Sequence, residues 1–499
     1  MSAMSGFHRH IVALALVAGT VSTAEAEERR QTTVELAAAI AAGRTTAEQA
    51  VGAALQRIEK ASALNAVARL DAARALAAAK AVDKARAEGK PLGPLAGIPF
   101  VVKDNIQIAG LPAAAGTPAL AGIVSAANAP VVDRLVAAGA IPVATTNMHE
   151  LAFGISGYNP TYQTGPQVGV RAAYDPSRMA GGSSSGTGAL VGAGAVSAGL
   201  GTDTGGSVRL PAAINGVAGL RPTLLRYAQD GVVPISHTRD TVGPIAASVA
   251  DLELIDRVVT GAPAIGKAEL KGVRLGIDAA MTAGLDAETD AVFKAALGRL
   301  EAAGVEIVRV DLKDLAALNQ AVSFPVALYE AYDDLAAYLA RYAPGVTVAS
   351  VAAAIKSPDV KGTYDGLVLP RKLPGPNGLV DAKPIYEAAI ATGRPALIAS
   401  YAKAFADNRI DALIFPTVPK VALTAGPETS ALDVFLTFIR NTDPGSNAGL
   451  PGLTLPIGLT ASSRMPVGLE LDGPAGSDRR LLALGQALEA IFGTLAPPK

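Results

Sequence analysis

Between residues 33 and 89 the apolar positions recur at helical spacing and predict helices that stop at Gly43 and Gly89, where a residue without a Cβ can take the left-handed turn. Thr45 followed three residues later by Glu48 has the form of a capping box, and residues 71–88 make an Ala-rich stretch with Lys and Arg on one face. The texture changes after Pro91. Short apolar runs at 98–102 and 140–145, separated by Gly and Pro, predict buried strands, and helical spacing returns between Pro130 and Gly139. Such alternation predicts an α/β fold, a sheet covered by helices on both sides. Residues 154–182 are rich in Gly, Pro, Asn and Tyr and lack periodicity; a loop of this length inside a domain is more often functional than a linker. Residues 313–400 mix Ala-rich helices with the Pro-rich run 369–376 and read as an insertion able to shape a pocket mouth.

The chain has 499 residues, 50% hydrophobic and 17% charged, enough to bury a large core. Length alone allows about two to four domains. A net charge of −1 gives no electrostatic footprint for a nucleic acid or another polyanion. Without cysteine there are no disulfides, no thiolate catalysis and no Cys-based zinc site, and the chain tolerates an oxidising compartment. At the start, His8-Arg9-His10 precedes the apolar run 11–18 and then Ala24-x-Ala26, the pattern of a secretory signal peptide cleaved after Ala26. Residues 1–26 are therefore expected to be a leader and 27–499 the mature chain, periplasmic or secreted. The apolar run is shorter than the roughly 20 residues of a spanning helix. No later segment is apolar enough to span, so no membrane association is expected after cleavage.

The chemistry lies in two Gly-rich blocks, Gly181-Gly182-Ser183-Ser184-Ser185-Gly186-Thr187-Gly188 and Gly201-Thr202-Asp203-Thr204-Gly205-Gly206-Ser207-Val208-Arg209. Consecutive glycines leave backbone N–H groups open to a ligand, and a serine among them can place its hydroxyl where those groups converge. A base is still required, and Lys103, in Gly97-Ile98-Pro99-Phe100-Val101-Val102-Lys103-Asp104-Asn105, is the candidate. An ordinary lysine, with pKa about 10.4, is neutral in only about one molecule in 2500 at pH 7, so Lys103 must be desolvated. Bringing it to about 7 costs roughly 4–5 kcal/mol, and the apolar run before it is consistent with burial.

Other readings of these residues are weaker. Gly182-Ser183-Ser184-Ser185-Gly186 also fits G-x-S-x-G, with Ser184 as nucleophile, but His237 is the sole later histidine and Asp240 is too close to it to serve as the acid. His149-Glu150 supplies too few ligands for a metal and reads as a helix-start or packing pair. Asp203 and Arg209 read as a structural pair holding the nucleophile loop.

Together the Lys103 block and the two Gly-rich blocks resemble the amidase signature family of serine amidases, and the similarity runs from about Thr33 to the segments 447–451 and 465–469. The resemblance implies one amidase-signature domain over 27–499, with a mixed β-sheet core covered by helices. It implies Ser207 as nucleophile, Ser183 as a bridging serine after a cis Gly182–Ser183 bond, and Lys103 as general base, accepting from Ser183 the proton that Ser183 relays from Ser207. It makes the N–H groups of Thr204, Gly205, Gly206 and Ser207 the oxyanion donors and puts Phe153 on the acyl pocket. No cofactor and no metal are implied, and the partner is a small-molecule amide. Segments 219–223 and 231–244, with Tyr227, look most like indoleacetamide and mandelamide hydrolases. The expected reaction is hydrolysis of an arylalkyl carboxamide to acid and ammonia or amine through an acyl-enzyme. A glutaminase-type subunit of an amidotransferase shares the triad but works in the cytosol, against the leader. Carbamate or ester hydrolysis and a monomer or homodimer state stay open. A non-catalytic binding protein is disfavoured by intact Lys103, Ser183 and Ser207.

Overall fold

Runs that are apolar at every position suit strands covered on both faces, and the strands of this chain build one large sheet. The computed structural model describes residues 30–161 and 168–498; the expected leader, residues 1–26, lies outside them. The strands are β1 (Val67–Leu70), β2 (Pro99–Lys103), β3 (Ile141–Thr146), β4 (Ala198–Asp203), β5 (Ala218–Arg221), β6 (Thr241–Ala246), β7 (Arg274–Asp278), β8 (Glu306–Val310), β9 (Lys372–Gly375), β10 (Gly378–Asp381), β11 (Ala412–Pro416), β12 (Gly452–Leu459) and β13 (Pro466–Asp472). Eleven of them form a mixed sheet in the order β1-β3-β2-β4-β6-β5-β12-β13-β11-β7-β8, and β9 and β10 make a separate hairpin. β2 runs parallel to β3 and β4, and β7 parallel to β8 and β11, while the centre is antiparallel.

Alternate residues of each strand point to opposite layers. On β2, Phe100 and Val102 join the core that includes helix Val249–Thr260, whereas Val101 joins the core beneath helices Ala47–Lys60 and Ser185–Gly192. This is the helix-covered α/β sheet expected from the sequence.

Local details depart from the expectation. The capping box of helix Ala47–Lys60 is Thr46 with Gln49, one residue beyond Thr45 and Glu48, because burial of Ala47 and Val51 sets where the helix begins. Within the stretch read as helical, Val67–Leu70 forms an edge strand against β3, too short to show among the flanking alanines. Gly43 and Gly89 do take positive φ after their helices, as expected. Residues 313–400 pack as a further apolar layer around helix Ser323–Tyr342, which meets the pocket described below. Among the described residues no helix is long and apolar enough to cross a membrane.

Candidate active site

Parallel pairing brings the C-terminal ends of β2 and β4 side by side, the usual place for a site in such a sheet. Lys103 is the last residue of β2, fully buried, and its Nζ donates to Ser183 Oγ and Thr202 Oγ1, each at 2.7 Å. Burial lowers its pKa to about 7, against the opposing charges of Asp203 and Asp240. The desolvation inferred from the sequence is thus present. Ser183 precedes helix Ser185–Gly192, and its backbone N–H donates to Ser207 Oγ at 3.1 Å. Lys103, Ser183 and Ser207 therefore meet, although the first and the last are 104 positions apart in sequence.

Two features differ from the expectation. The Gly182–Ser183 bond is trans, as are all peptide bonds among the described residues; trans is the lower-energy form, and the chain turns here through positive φ at Gly181 and Gly182. The Gly206 N–H, expected to face an oxyanion, instead donates to Asp203 Oδ1 at 2.8 Å, because the carboxylate sits inside the loop it anchors. The N–H groups of Thr204, Gly205 and Ser207 take no part in the hydrogen bonds that hold this loop. Gly206 is needed for another reason: its φ is +133°, and a Cβ there would lie 2.3 Å from Thr442 Oγ1.

Behind the loop, Asp203 also accepts from Val208 N–H, from Arg209 Nε and Nη2 at 3.1 Å, and from Arg221 Nη1 at 3.0 Å. Burial alone would raise its pKa, but Arg209 and Arg221 hold it well below the usual carboxylate range. Arg209 continues to Glu470 at 2.9 Å and to Ser446 Oγ at 2.7 Å. The pair read from sequence is the centre of a buried network that fixes both neighbours of Ser207.

Ser207 opens into a cavity of about 500 Å³ with largely apolar walls, among them Phe153, Ile155, Phe324, Leu328, Leu367 and Phe435. Phe153, expected on the acyl pocket, lies on this cavity wall, edge-on to Tyr364 with ring centroids 5.1 Å apart. Phe324, Leu328 and Leu367 come from the insertion. Arg239, which bonds the Thr204 carbonyl and Asp443, was missed, as were Thr202 and Asp443; Thr202 lies inside the quoted motif, but Asp443 is too remote in sequence to associate with it.

The weaker readings are placed as well. Ser184 Oγ is buried and bonded to both backbone groups of Thr202, so it cannot present a nucleophile. His237 is exposed and bonded to Asp334 at 3.0 Å. With Glu330 these two form the one group of possible metal ligands among the described residues, and none of the three lines the cavity. Glu150 accepts the N–H groups of Lys356 and Ser357 at the start of helix Pro358–Thr363, the helix-start role expected of it.

Known proteins resemble this chain over most of its length. A family model described as Amidase matches residues 49–482. A mandelamide hydrolase of Pseudomonas putida is 45% identical over 464 residues, 93% of this chain and 91% of that protein. An indoleacetamide hydrolase of Rhizobium radiobacter is 42% identical over 407 residues, 80% of this chain and 84% of that protein. Among solved structures, a peptide amidase in complex with the competitive inhibitor chymostatin superposes with a TM-score of 0.78 at 30% identity, covering 94% of this chain and 99% of that one.

Proposed function

From the premise that this chain belongs to the amidase signature family and hydrolyses amide C–N bonds, we propose that it is an exported arylalkyl amidase acting through an acyl-enzyme. The observation that carries the mechanism is the buried Lys103 amine, 2.7 Å from Ser183 Oγ, with Ser183 N–H on Ser207 Oγ. With its pKa at about 7, a large fraction of Lys103 is neutral at physiological pH. In that form it takes a proton from Ser183, which takes one from Ser207 as Ser207 Oγ attacks the amide carbon. Negative charge developing on the carbonyl oxygen is met by the N–H groups of Thr204, Gly205 and Ser207. Gly206, bound to Asp203, acts by holding the loop. The proton then returns to the leaving amine, and water repeats the sequence on the ester.

The apolar cavity beside Ser207 and the names of the similar hydrolases support an aryl acyl group. An aryl ring seated there adds about 2–3 kcal/mol of binding, roughly 30- to 150-fold in kcat/KM if expressed in the transition state. Export rests on the leader-like residues 1–26. The test is kcat/KM for phenylacetamide, acetamide and glutamine. A clear preference for phenylacetamide is expected; equal values for the two simple amides, or a preference for glutamine, removes the arylalkyl reading.

A further inference from the structure

The N–H groups of the nucleophile loop point where they do because other side chains hold the carbonyls that precede them. In a trans peptide the C=O and the following N–H point in opposite directions, so a partner on one fixes the other. Arg221 Nη1 donates to the Asp203 carbonyl at 2.6 Å, which turns the Thr204 N–H away from Arg221. Arg239 Nη2 donates to the Thr204 carbonyl at 3.1 Å, which turns the Gly205 N–H away from Arg239. Thr442 Oγ1 donates to the Gly205 carbonyl at 2.7 Å, and the Gly206 N–H that follows is the one bound by Asp203. Arg221 also serves the Asp203 ion network, whereas the bonds of the Arg239 side chain go to Thr204, Ser323 and Asp443, so the effect of Arg239 can be separated.

Arg239 is buried on the turn that begins at Ser236, and it lines the cavity with Thr204 and Gly205. Its Nη1 donates to the Ser323 carbonyl at 2.8 Å, at the start of helix Ser323–Tyr342, and its Nη2 also pairs with Asp443. Asp443 is held in turn by Asn319 Nδ2 at 2.8 Å and Asn447 Nδ2 at 3.1 Å. The ion pair is pressed against the loop: a Cβ on Gly205 would lie 2.9 Å from Asp443 Oδ1 and 3.3 Å from Arg239 Nη2. Thr204 is clamped through its side chain as well, Oγ1 donating at 2.7 Å to Oδ1 of Asp240, the residue after Arg239. Because Asp443 balances the guanidinium charge, what Arg239 gives the loop is direction rather than net charge. Its bond to the Thr204 carbonyl also polarises that peptide and strengthens the Gly205 N–H as a donor. The same guanidinium reaches Ser323, whose neighbour Phe324 walls the cavity, and so sets the donor at a fixed distance from the acyl wall.

We propose that Arg239 is a positioning residue for the hydrolysis: it aims the Gly205 N–H at the oxyanion and fixes that donor against the acyl wall, acting on the transition state rather than on substrate binding. This rests on the oxyanion donors of the reaction proposed above.

The test uses Arg239→Lys and Arg239→Gln, with phenylacetamide as substrate and two competitive inhibitors. Phenylacetaldehyde mimics the transition state: Ser207 Oγ bonds to the aldehyde carbon, the carbonyl π pair moves onto oxygen as the anion, and the Ser207 proton passes through Ser183 to Lys103. Phenethyl alcohol fills the acyl cavity without an oxyanion. Lysine keeps the charge opposite Asp443, but a single ammonium cannot hold the Thr204 and Ser323 carbonyls as the planar fork does; glutamine, shorter and uncharged, cannot reach both either. In each variant kcat should fall by about ten-fold or more while KM stays within about three-fold, and Ki for phenylacetaldehyde should rise by about the factor that kcat loses while Ki for phenethyl alcohol stays. A Ki does not depend on how much of a preparation is folded, so instability of a variant does not imitate this split. Phenylacetaldehyde bound as tightly by the variants as by the native enzyme, or weakened equally with phenethyl alcohol, overturns the proposal and leaves the serine mechanism intact. A native enzyme that binds phenylacetaldehyde no more tightly than phenethyl alcohol overturns both.

Discussion

Replacing Lys103 by methionine separates what the lysine does for the reaction from what it costs the fold. The buried amine titrates at about 7 instead of 10.5, a difference worth about 5 kcal/mol at about 1.36 kcal/mol per pH unit. Between those two pH values the unfolded chain holds a proton that the folded protein has released, so stability rises with pH across that window. Below about pH 7 the whole cost is present; above about 10.5 both states are neutral and it is gone. Methionine is similar in length and uncharged, and it removes this cost. It also strips Ser183 Oγ and Thr202 Oγ1 of their 2.7 Å partner, a loss of about 1–2 kcal/mol each. The expected balance is a variant more stable than the parent by about 1–3 kcal/mol at pH 6, with the advantage vanishing at about pH 8–9 and reversed at pH 10, where only the lost hydrogen bonds count. Turnover should fall by at least about 10³ at pH 7. The measurements are thermal midpoints at one scan rate at pH 6, 8 and 10, together with initial rates of amide hydrolysis. A methionine variant less stable than the parent at pH 6, or a stability difference that does not change with pH, refutes the argument from burial. Retained turnover refutes the role of the base.

In the parent enzyme kcat/KM should increase with pH through an apparent value near 7 set by the coupled Lys103 and serine system, read from a pH–rate profile. Phe153→Ala should erase much of the preference for phenylacetamide over acetamide while acetamide hydrolysis persists, checked by kcat/KM on both. Arg209→Leu should destabilise by about 3–5 kcal/mol, because it leaves Glu470 buried without its guanidinium and Asp203 with Arg221 alone. Burial and the neighbouring Glu470 push the Asp472 carboxyl well above its ordinary range; stability therefore falls as pH rises from the ordinary carboxylate value toward the raised one, and Asp472→Asn should flatten that decline in thermal melts across the range. In a bacterial host the mature protein should begin near Glu27 in the periplasmic fraction, as N-terminal sequencing would show.

What could be read from the sequence followed from local chemistry. The apolar run before Lys103 announced its burial, and the two Gly-rich blocks announced the loop segments 181–184 and 204–207, although most of their remaining residues belong to helix Ser185–Gly192 and strand β4. Strand β1 stayed hidden because four residues among alanines carry too little periodicity. The engagement of Gly206 N–H could not be foreseen, since it depends on where the Asp203 side chain turns. The hydrogen bonds that His149 makes to Asp359 and, through Ser156, to Ser430 beside the cavity join residues up to 281 positions apart, and no spacing in the sequence links them.

The Asp203 network and the Lys103 base act on one another. Asp203 must stay ionised to hold the N–H groups of Gly206 and Val208, yet its charge is the largest influence tending to keep Lys103 protonated. The two demands conflict unless something offsets the charge. Arg209 and Arg221 do so: both guanidiniums bond Asp203 within the buried interior, where opposite charges screen one another far more effectively than in water. A carboxylate shielded in this way can anchor the nucleophile loop without reprotonating the base beside it. The cost is two buried arginines that require Glu470, Ser446 and backbone carbonyls in turn, which ties the chemistry at the ends of β2 and β4 to β13 in the middle of the sheet.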